Sequence, residues 1–84
     1  MTNPKIIVYG TSWCSDCFRA RRFLDDHKII YQWVNIDKDK TGEQTVLKIN
    51  DGKRSVPTII FEDGIILIEP SNAELALKLG FPIT

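Results

Sequence analysis

The sequence predicts a single α/β domain in which a four-stranded mixed sheet is flanked by three helices. Strand-like and helix-like stretches alternate in the order βαβαββα, and the last two strands are separated by a short turn typical of a hairpin. A chain of 84 residues is the size of one small domain, so residues 1–84 are assigned to it. Strands joined through a helix are expected to run parallel, and the hairpin adds an antiparallel edge.

The first half of the chain contains two predicted strands and a helix. Lys5–Tyr9 is rich in branched apolar residues and ends at Gly10, which indicates a buried strand. Cysteine and apolar residues at helical spacing predict a helix from Ser15 to about His27. Ile29–Ile36 is the second predicted strand. Alternation along it gives one face of Ile30, Val34 and Ile36 and an opposite face of Tyr31 and Trp33.

A second helix is predicted from the residues that surround its ends. Thr41 is followed three residues later by Gln44, which resembles a capping box and opens a helix through about Ile49. Asn50-Asp51-Gly52 is expected to end it, because these residue types tolerate left-handed backbone geometry.

The last third of the chain predicts a hairpin followed by a helix. The strands Pro57–Phe61 and Ile65–Ile68 are separated by Glu62-Asp63-Gly64. A second capping box, Ser71 with Glu74, then precedes a helix over Ala73–Leu79. Gly80 and Pro82 are expected to stop that helix.

Composition excludes several classes of protein. Eleven basic residues balance eleven acidic ones, and no basic stripe indicates a nucleic-acid partner. The apolar run Ile6–Val8 is too short for a signal-peptide core, and no stretch approaches the roughly 20 apolar residues of a membrane span. Two cysteines are too few for a secreted disulfide scaffold. We therefore expect a cytoplasmic protein without nucleic-acid or membrane partners.

The segment that carries chemistry contains Cys14 and Cys17, on the turn between the first strand and the first helix. Residues three apart on a helical turn have Cβ atoms about 5–6 Å apart, close to the roughly 4 Å of a disulfide. At the helix start, free N–H groups and the helix dipole stabilise a thiolate on Cys14, and the nearby Asp16 carboxylate partly opposes this. Cys17, one turn deeper, should be more buried. We expect Cys14 to be the nucleophile and Cys17 the resolving thiol.

The cysteine pair has two other interpretations. Free cysteines are often small core residues, but such a pair has no reason to lie in a Ser-Trp-Cys-Ser-Asp-Cys segment. Zinc takes four ligands in a structural site, and only His27 could add a third in one chain. A metal site would need two chains that share four thiolates, so we predict no metal ligands in this chain.

These motifs together resemble the glutaredoxin family, which has the thioredoxin fold. The resemblance is carried by Trp13-Cys14-x-x-Cys17, by Val56-Pro57 before the third strand, by the Glu-Asp-Gly turn and by the helix that opens at Ser71-Asn72. It implies a thiol–disulfide oxidoreductase that reduces protein disulfides or mixed disulfides. It also implies that Pro57 is cis and that the backbone of Val56 is free to pair with a substrate.

The chain also departs from the glutathione-dependent pattern. Ser15-Asp16 replaces the usual Pro-Tyr between the cysteines, and Ile68-Glu69 replaces a Gly-Gly pair before the last helix. The sequence is also similar to mycoredoxins, which use another bacterial thiol, and to the glutaredoxin-like hydrogen donors of ribonucleotide reductase, which take electrons from thioredoxin reductase. The alternative is an iron–sulfur (or zinc) binding dimer that uses the same cysteines.

The remaining candidate residues are expected to bind substrate. We expect a monomer with no tightly bound cofactor, recycled by a low-molecular-weight thiol (glutathione or mycothiol) or a reductase. The basic residues of the first helix are interpreted mainly as a solvated face. Arg54, just before the Pro57 strand, is the better candidate to bind a carboxylate of the thiol. The full set is Ser12, Trp13, Arg54, Val56, Pro57, Ser71 and Asn72.

Overall fold

The computed structural model describes residues 5–81 and contains four strands and three helices. In chain order they are β1 (Ile7–Gly10), α1 (Ser15–Asp26), β2 (Gln32–Asn35), α2 (Lys40–Ile49), β3 (Thr58–Ile60), β4 (Ile66–Ile68) and α3 (Asn72–Leu79). The predicted order βαβαββα is confirmed. Among residues 5–81, no helix is both long and apolar enough to cross a membrane.

The strands form one mixed sheet in the order β2-β1-β3-β4. β1 is parallel to β2 and antiparallel to β3, and β4 is antiparallel to β3. The prediction that β3 runs parallel to β2 because a helix joins them was wrong. The Asn50 side chain, at the end of α2, donates a hydrogen bond to the Thr58 hydroxyl at the start of β3. Thr58 pairs with Tyr9 near the C-terminal end of β1. β3 therefore begins beside the C-terminal ends of β1 and β2 and runs antiparallel to both.

The core lies in two layers, one on each face of the sheet. α1 and α3 cover the first face, where the fully or nearly fully buried residues are Val8, Ala20, Leu24, Ile59, Phe61 and Leu75. α2 covers the second face, where the buried residues are Tyr9, Val34, Ile36 and Val46. Helices on both faces were predicted, and this is confirmed.

The second strand is shorter than the sequence predicts. Lys28 adopts a left-handed conformation (φ 58°), and the Ile29 N–H donates to the Leu24 carbonyl over 2.9 Å. This turn occupies the residues before β2, so ladder pairing begins at Gln32, and Ile30 is 75% exposed rather than facing the core. Val34 and Ile36, which were predicted to share a face with Ile30, are both buried.

The N-terminus of α2 is capped by a different residue from the one predicted. Asp39 is the N-cap, and its carboxylate accepts a hydrogen bond from the Gly42 N–H over 2.9 Å. Thr41 therefore lies inside the first turn, and its predicted capping box with Gln44 was wrong. A helix that starts at Lys40 also buries Gly42 against Val34, where a Cβ would lie 2.5 Å from a Val34 methyl group.

The other predicted helix ends are confirmed. Asp51 and Gly52 have positive φ angles after α2, and Gly80 has a left-handed conformation after α3. Ser71 and Glu74 form the predicted reciprocal capping box. Pro82, the other expected stop signal, lies outside the described residues.

Candidate functional site

The turn between β1 and α1 places the two cysteines as the sequence predicts. Cys14 is the N-cap of α1, with extended backbone, and its Sγ accepts a hydrogen bond from the Cys17 N–H over 3.4 Å. Cys14 is partly exposed, whereas Cys17 is completely buried one turn further along. Both are free thiols. The outer sulfur is therefore accessible to a partner, and the inner sulfur is shielded from solvent.

Burial dominates the ionisation of the inner thiol. Desolvation raises the pKa of Cys17 from 9.0 to about 12, and the nearby Cys14 and Asp16 add to this. The backbone N–H of Thr11, which faces the Cys17 sulfur, acts in the opposite direction but is outweighed. Cys17 is therefore a protonated thiol at neutral pH until its surroundings change.

Gly10 is a site residue that the sequence analysis missed. A Cβ on Gly10 would lie 2.5 Å from the Cys17 Sγ and 2.9 Å from the edge of the Trp33 ring. The absence of a side chain at the end of β1 is what allows the sulfur of Cys17 to lie against the strand. Its position after a strand and four residues before Cys14 was a usable signal, but it was interpreted only as a strand end.

The loop before β3 supplies the second wall of the site. The Val56–Pro57 peptide bond is cis, as the family resemblance implied. The Cys14 thiol donates to the Val56 carbonyl with a sulfur–oxygen distance of 3.8 Å. The Pro57 carbonyl accepts from the Glu69 N–H over 2.8 Å, which ties this loop to the segment before α3. The structure thus brings the Val56 carbonyl to Cys14, with the cis Pro57 next to it in the chain.

Trp13 and Arg54 meet at a carboxylate that the sequence analysis did not select. Trp13 is 68% exposed, and its indole N–H donates to the Asp37 carboxylate over 2.7 Å. Arg54 donates to the other oxygen of Asp37 over 2.6 Å and to the Glu43 carboxylate over 2.8 Å. The guanidinium, followed by the indole N–H, holds the pKa of Asp37 below its ordinary value, and Asp37 and Glu43 raise the pKa of Arg54.

The two candidate residues at the start of α3 are already engaged in hydrogen bonds. The Ser71 N–H donates to the Glu74 carboxylate over 2.8 Å, and the Ser71 hydroxyl accepts from the Glu74 N–H. The Asn72 side-chain oxygen accepts from Arg19 over 2.8 Å. Arg19 also lies 3.6 Å from Asp16, so α1 and the start of α3 are joined next to the cysteine turn. Ser12, the remaining candidate, is exposed on that turn.

Metal binding by one chain finds no support in the part of the chain that the structure describes. No group of three or more His, Cys, Asp or Glu side chains gathers there. The two thiols alone could supply half of a four-thiolate site, and the other half would have to come from a second chain.

A family model described as Glutaredoxin matches residues 6–66, which include the cysteine turn and the cis-proline loop. The chain belongs to the glutaredoxin family. As a glutaredoxin it is a thiol–disulfide oxidoreductase, and glutaredoxins act on disulfide substrates with thiol reductants.

Relatives and solved structures agree with this assignment. A Mycobacterium tuberculosis protein with a provisional glutaredoxin name is 37% identical over 79 residues, 94% of each chain. Mycoredoxin 1 of Corynebacterium glutamicum is 32% identical over 74 residues, 88% of this glutaredoxin and 91% of the relative. The crystal structure of a mutant of the thioredoxin-like protein BC3987 has a TM-score of 0.80 at 23% identity. It covers 93% of this chain and 97% of that one, and it shows that the fold is thioredoxin-like.

Proposed function

We propose that this glutaredoxin uses a dithiol mechanism in which Cys14 is the nucleophile and Cys17 the resolving thiol. The observation that carries the proposal is the sulfur of Cys14 at the N-cap of α1, accepting the N–H of Cys17, with the Cys17 thiol buried one turn deeper. A hydrogen bond to the sulfur and the positive end of the helix dipole both stabilise the thiolate, which is the attacking species.

The reaction balances as two exchanges. The Cys14 thiolate attacks one sulfur of a disulfide, forms a mixed disulfide and releases the other sulfur as a thiolate. Cys17 then attacks the Sγ of Cys14, which forms the Cys14–Cys17 disulfide and releases the second sulfur. The Cys17 proton is taken up by that departing sulfur, which leaves as a neutral thiol. Two electrons have passed from the protein to the substrate.

The raised pKa of Cys17 fits the order of these steps. A thiol with a pKa of about 12 does not compete with Cys14 for the incoming disulfide at neutral pH. It becomes reactive when a mixed disulfide on Cys14 provides both an electrophilic sulfur within reach and a leaving group that takes the proton. Burial therefore assigns different roles to two chemically identical side chains.

The substrates that we propose are disulfide-containing proteins, with a low-molecular-weight thiol or thioredoxin reductase as the source of electrons. The partly exposed Val56 beside Cys14 offers its backbone to an extended segment. Ser12 and Trp13 precede Cys14 on the same turn, and Pro57 follows Val56. We propose that the protein acts as a monomer in the cytoplasm without a tightly bound cofactor. Reduction of the oxidised protein by glutathione, mycothiol and thioredoxin reductase, measured side by side, identifies the electron source.

The mechanism is tested by trapping its intermediate. Cys17→Ser should retain attack by Cys14 but lack resolution, so incubation with an oxidised substrate should leave a mixed disulfide that mass spectrometry assigns to Cys14. Cys14→Ser is the matched control and should form no adduct under the same conditions. The absence of an adduct on Cys17→Ser would refute the assigned roles. A brown, dimeric protein from anaerobic purification would instead favour the cluster-binding alternative.

A further inference from the structure

An exposed tryptophan beside a nucleophile is held in one position by a hydrogen bond. Trp13 directly precedes Cys14, and two-thirds of its side chain faces solvent. An unanchored side chain on a surface turn samples several rotamers, and ordering it when a substrate arrives costs free energy. The 2.7 Å bond from the indole N–H to Asp37 removes this freedom in advance.

Asp37 is itself held from the opposite side. Its second carboxylate oxygen accepts from Arg54, and the Nε of Arg54 is bound to Glu43 on α2. The cysteine turn, the segment after β2, the start of α2 and the loop before β3 therefore meet in one chain of hydrogen bonds. Arg54 is three residues from Pro57, so this chain ends close to the loop whose Val56 carbonyl faces Cys14.

The charges of Arg54, Asp37 and Glu43 argue against a free cationic site at Arg54. One guanidinium faces two carboxylates, which leaves a net charge of −1, and two of the three guanidinium nitrogens are already bonded. A ligand carboxylate would have to compete with Asp37 and Glu43 for Arg54. These contacts favour a different role for Arg54 from the binding of a thiol carboxylate that the sequence predicts.

We propose that Asp37 is a positioning residue that fixes Trp13 as a wall beside Cys14, and that Arg54 acts by orienting Asp37. This inference rests on the proposed function, since the wall serves the disulfide that Cys14 attacks. The specificity it implies is for a flat or apolar group next to the reacting sulfur, with no requirement for a negative charge.

The first test reads Trp13 directly and does not depend on activity. In a Trp33→Phe background, Trp13 is the only tryptophan of the chain. Asp37→Ala should lower the steady-state fluorescence anisotropy of Trp13 and increase its quenching by acrylamide. Asp37→Asn, which retains an acceptor oxygen for the indole N–H, should restore most of the parent signal. Asp63→Ala is the matched control, because Asp63 is an exposed, lysine-paired carboxylate in the hairpin turn at the other end of β3. An Asp37→Ala protein with unchanged anisotropy and quenching would overturn the proposal.

The second test separates positioning from direct binding. The reduced protein is oxidised by neutral bis(2-hydroxyethyl) disulfide and by anionic glutathione disulfide, and the rate constants are obtained by alkylation and mass spectrometry. Arg54→Ala should slow both reactions by about 3- to 10-fold, the size expected for a partly solvated charged hydrogen bond. In a Trp13→Phe background, Arg54→Ala should have almost no further effect, because the indole N–H it supports is already gone.

Failure of the positioning role and failure of the proposed function give different results. An Arg54→Ala effect confined to glutathione disulfide, or undiminished in the Trp13→Phe background, would show direct ligand binding and would refute positioning. If the parent protein reacts with neither disulfide, the proposed function fails, and the fluorescence test alone decides the role of Asp37.

Discussion

The substitution Gly10→Ala tests whether the buried thiol requires a bare strand end. The new Cβ would lie 2.5 Å from the Cys17 Sγ, whereas carbon and sulfur atoms pack at about 3.5–4 Å. Cys17 would have to move by roughly 1 Å, against a fully buried environment and with Trp33 2.9 Å from the same methyl group. Overpacking of this kind costs about 1–3 kcal/mol, and we expect about 2 kcal/mol of lost unfolding free energy.

The measurement is guanidinium-induced unfolding of the fully reduced protein, followed by circular dichroism. Cys17→Ala is the informative second variant, because it removes the sulfur that the Gly10→Ala methyl group strikes. In the double variant the cost of Gly10→Ala should fall by about 1 kcal/mol, the range of coupling between residues in contact. A Gly10→Ala cost below about 0.5 kcal/mol, or additive effects in the double variant, would refute the packing argument.

Two further predictions concern stability. The Cys17 thiol ionises near pH 9.0 in the unfolded chain but only near pH 12 in the folded protein. The folding stability that depends on its protonated form is therefore fully present below pH 9 and is lost as the pH rises towards 12. Between pH 8 and 10 the reduced protein should therefore lose roughly 1.4 kcal/mol more unfolding free energy than Cys17→Ala, and equal losses in urea titrations would contradict the raised pKa. Asp39→Ala should cost about 1 kcal/mol through loss of the helix cap on Gly42, while Thr41→Ala should be nearly neutral; thermal unfolding that ranks them in the reverse order would restore the capping box predicted from the sequence.

Local patterns predicted the elements and the cysteine turn because each depends on residues close in the chain. The helical spacing from Cys14 to Cys17 and the Ser71–Glu74 capping box both specify their geometry within one turn of helix. The first residue of α2 is harder to predict, because two nearby residues both fit the local pattern of a helix cap. Asp39 and Thr41 are both good cap residues two positions apart. The structure selects Asp39, through its hydrogen bond to the Gly42 N–H and the packing of Gly42 against Val34.

Features that depend on distant residues could not be predicted in this way. The direction of β3 depends on the path of α2 across the sheet. The sequence of β3 itself contains no signal for that direction. The contacts from Asp37 to Trp13 and to Arg54 join positions 24 and 17 residues apart, with no periodic signal in the sequence. Arg54 was selected for its position near Pro57, but its carboxylate partners became visible only when the fold brought them together.

The hydrogen bond from the Cys14 thiol to the Val56 carbonyl exists only while that sulfur carries its proton. Ionisation or disulfide formation removes the hydrogen, and the carbonyl then loses a donor. The protonation of one sulfur is thereby linked to the acceptor capacity of a peptide group on a different loop. A partner that offers an N–H to Val56 would find this carbonyl free once Cys14 is ionised, which is also the state in which its sulfur attacks.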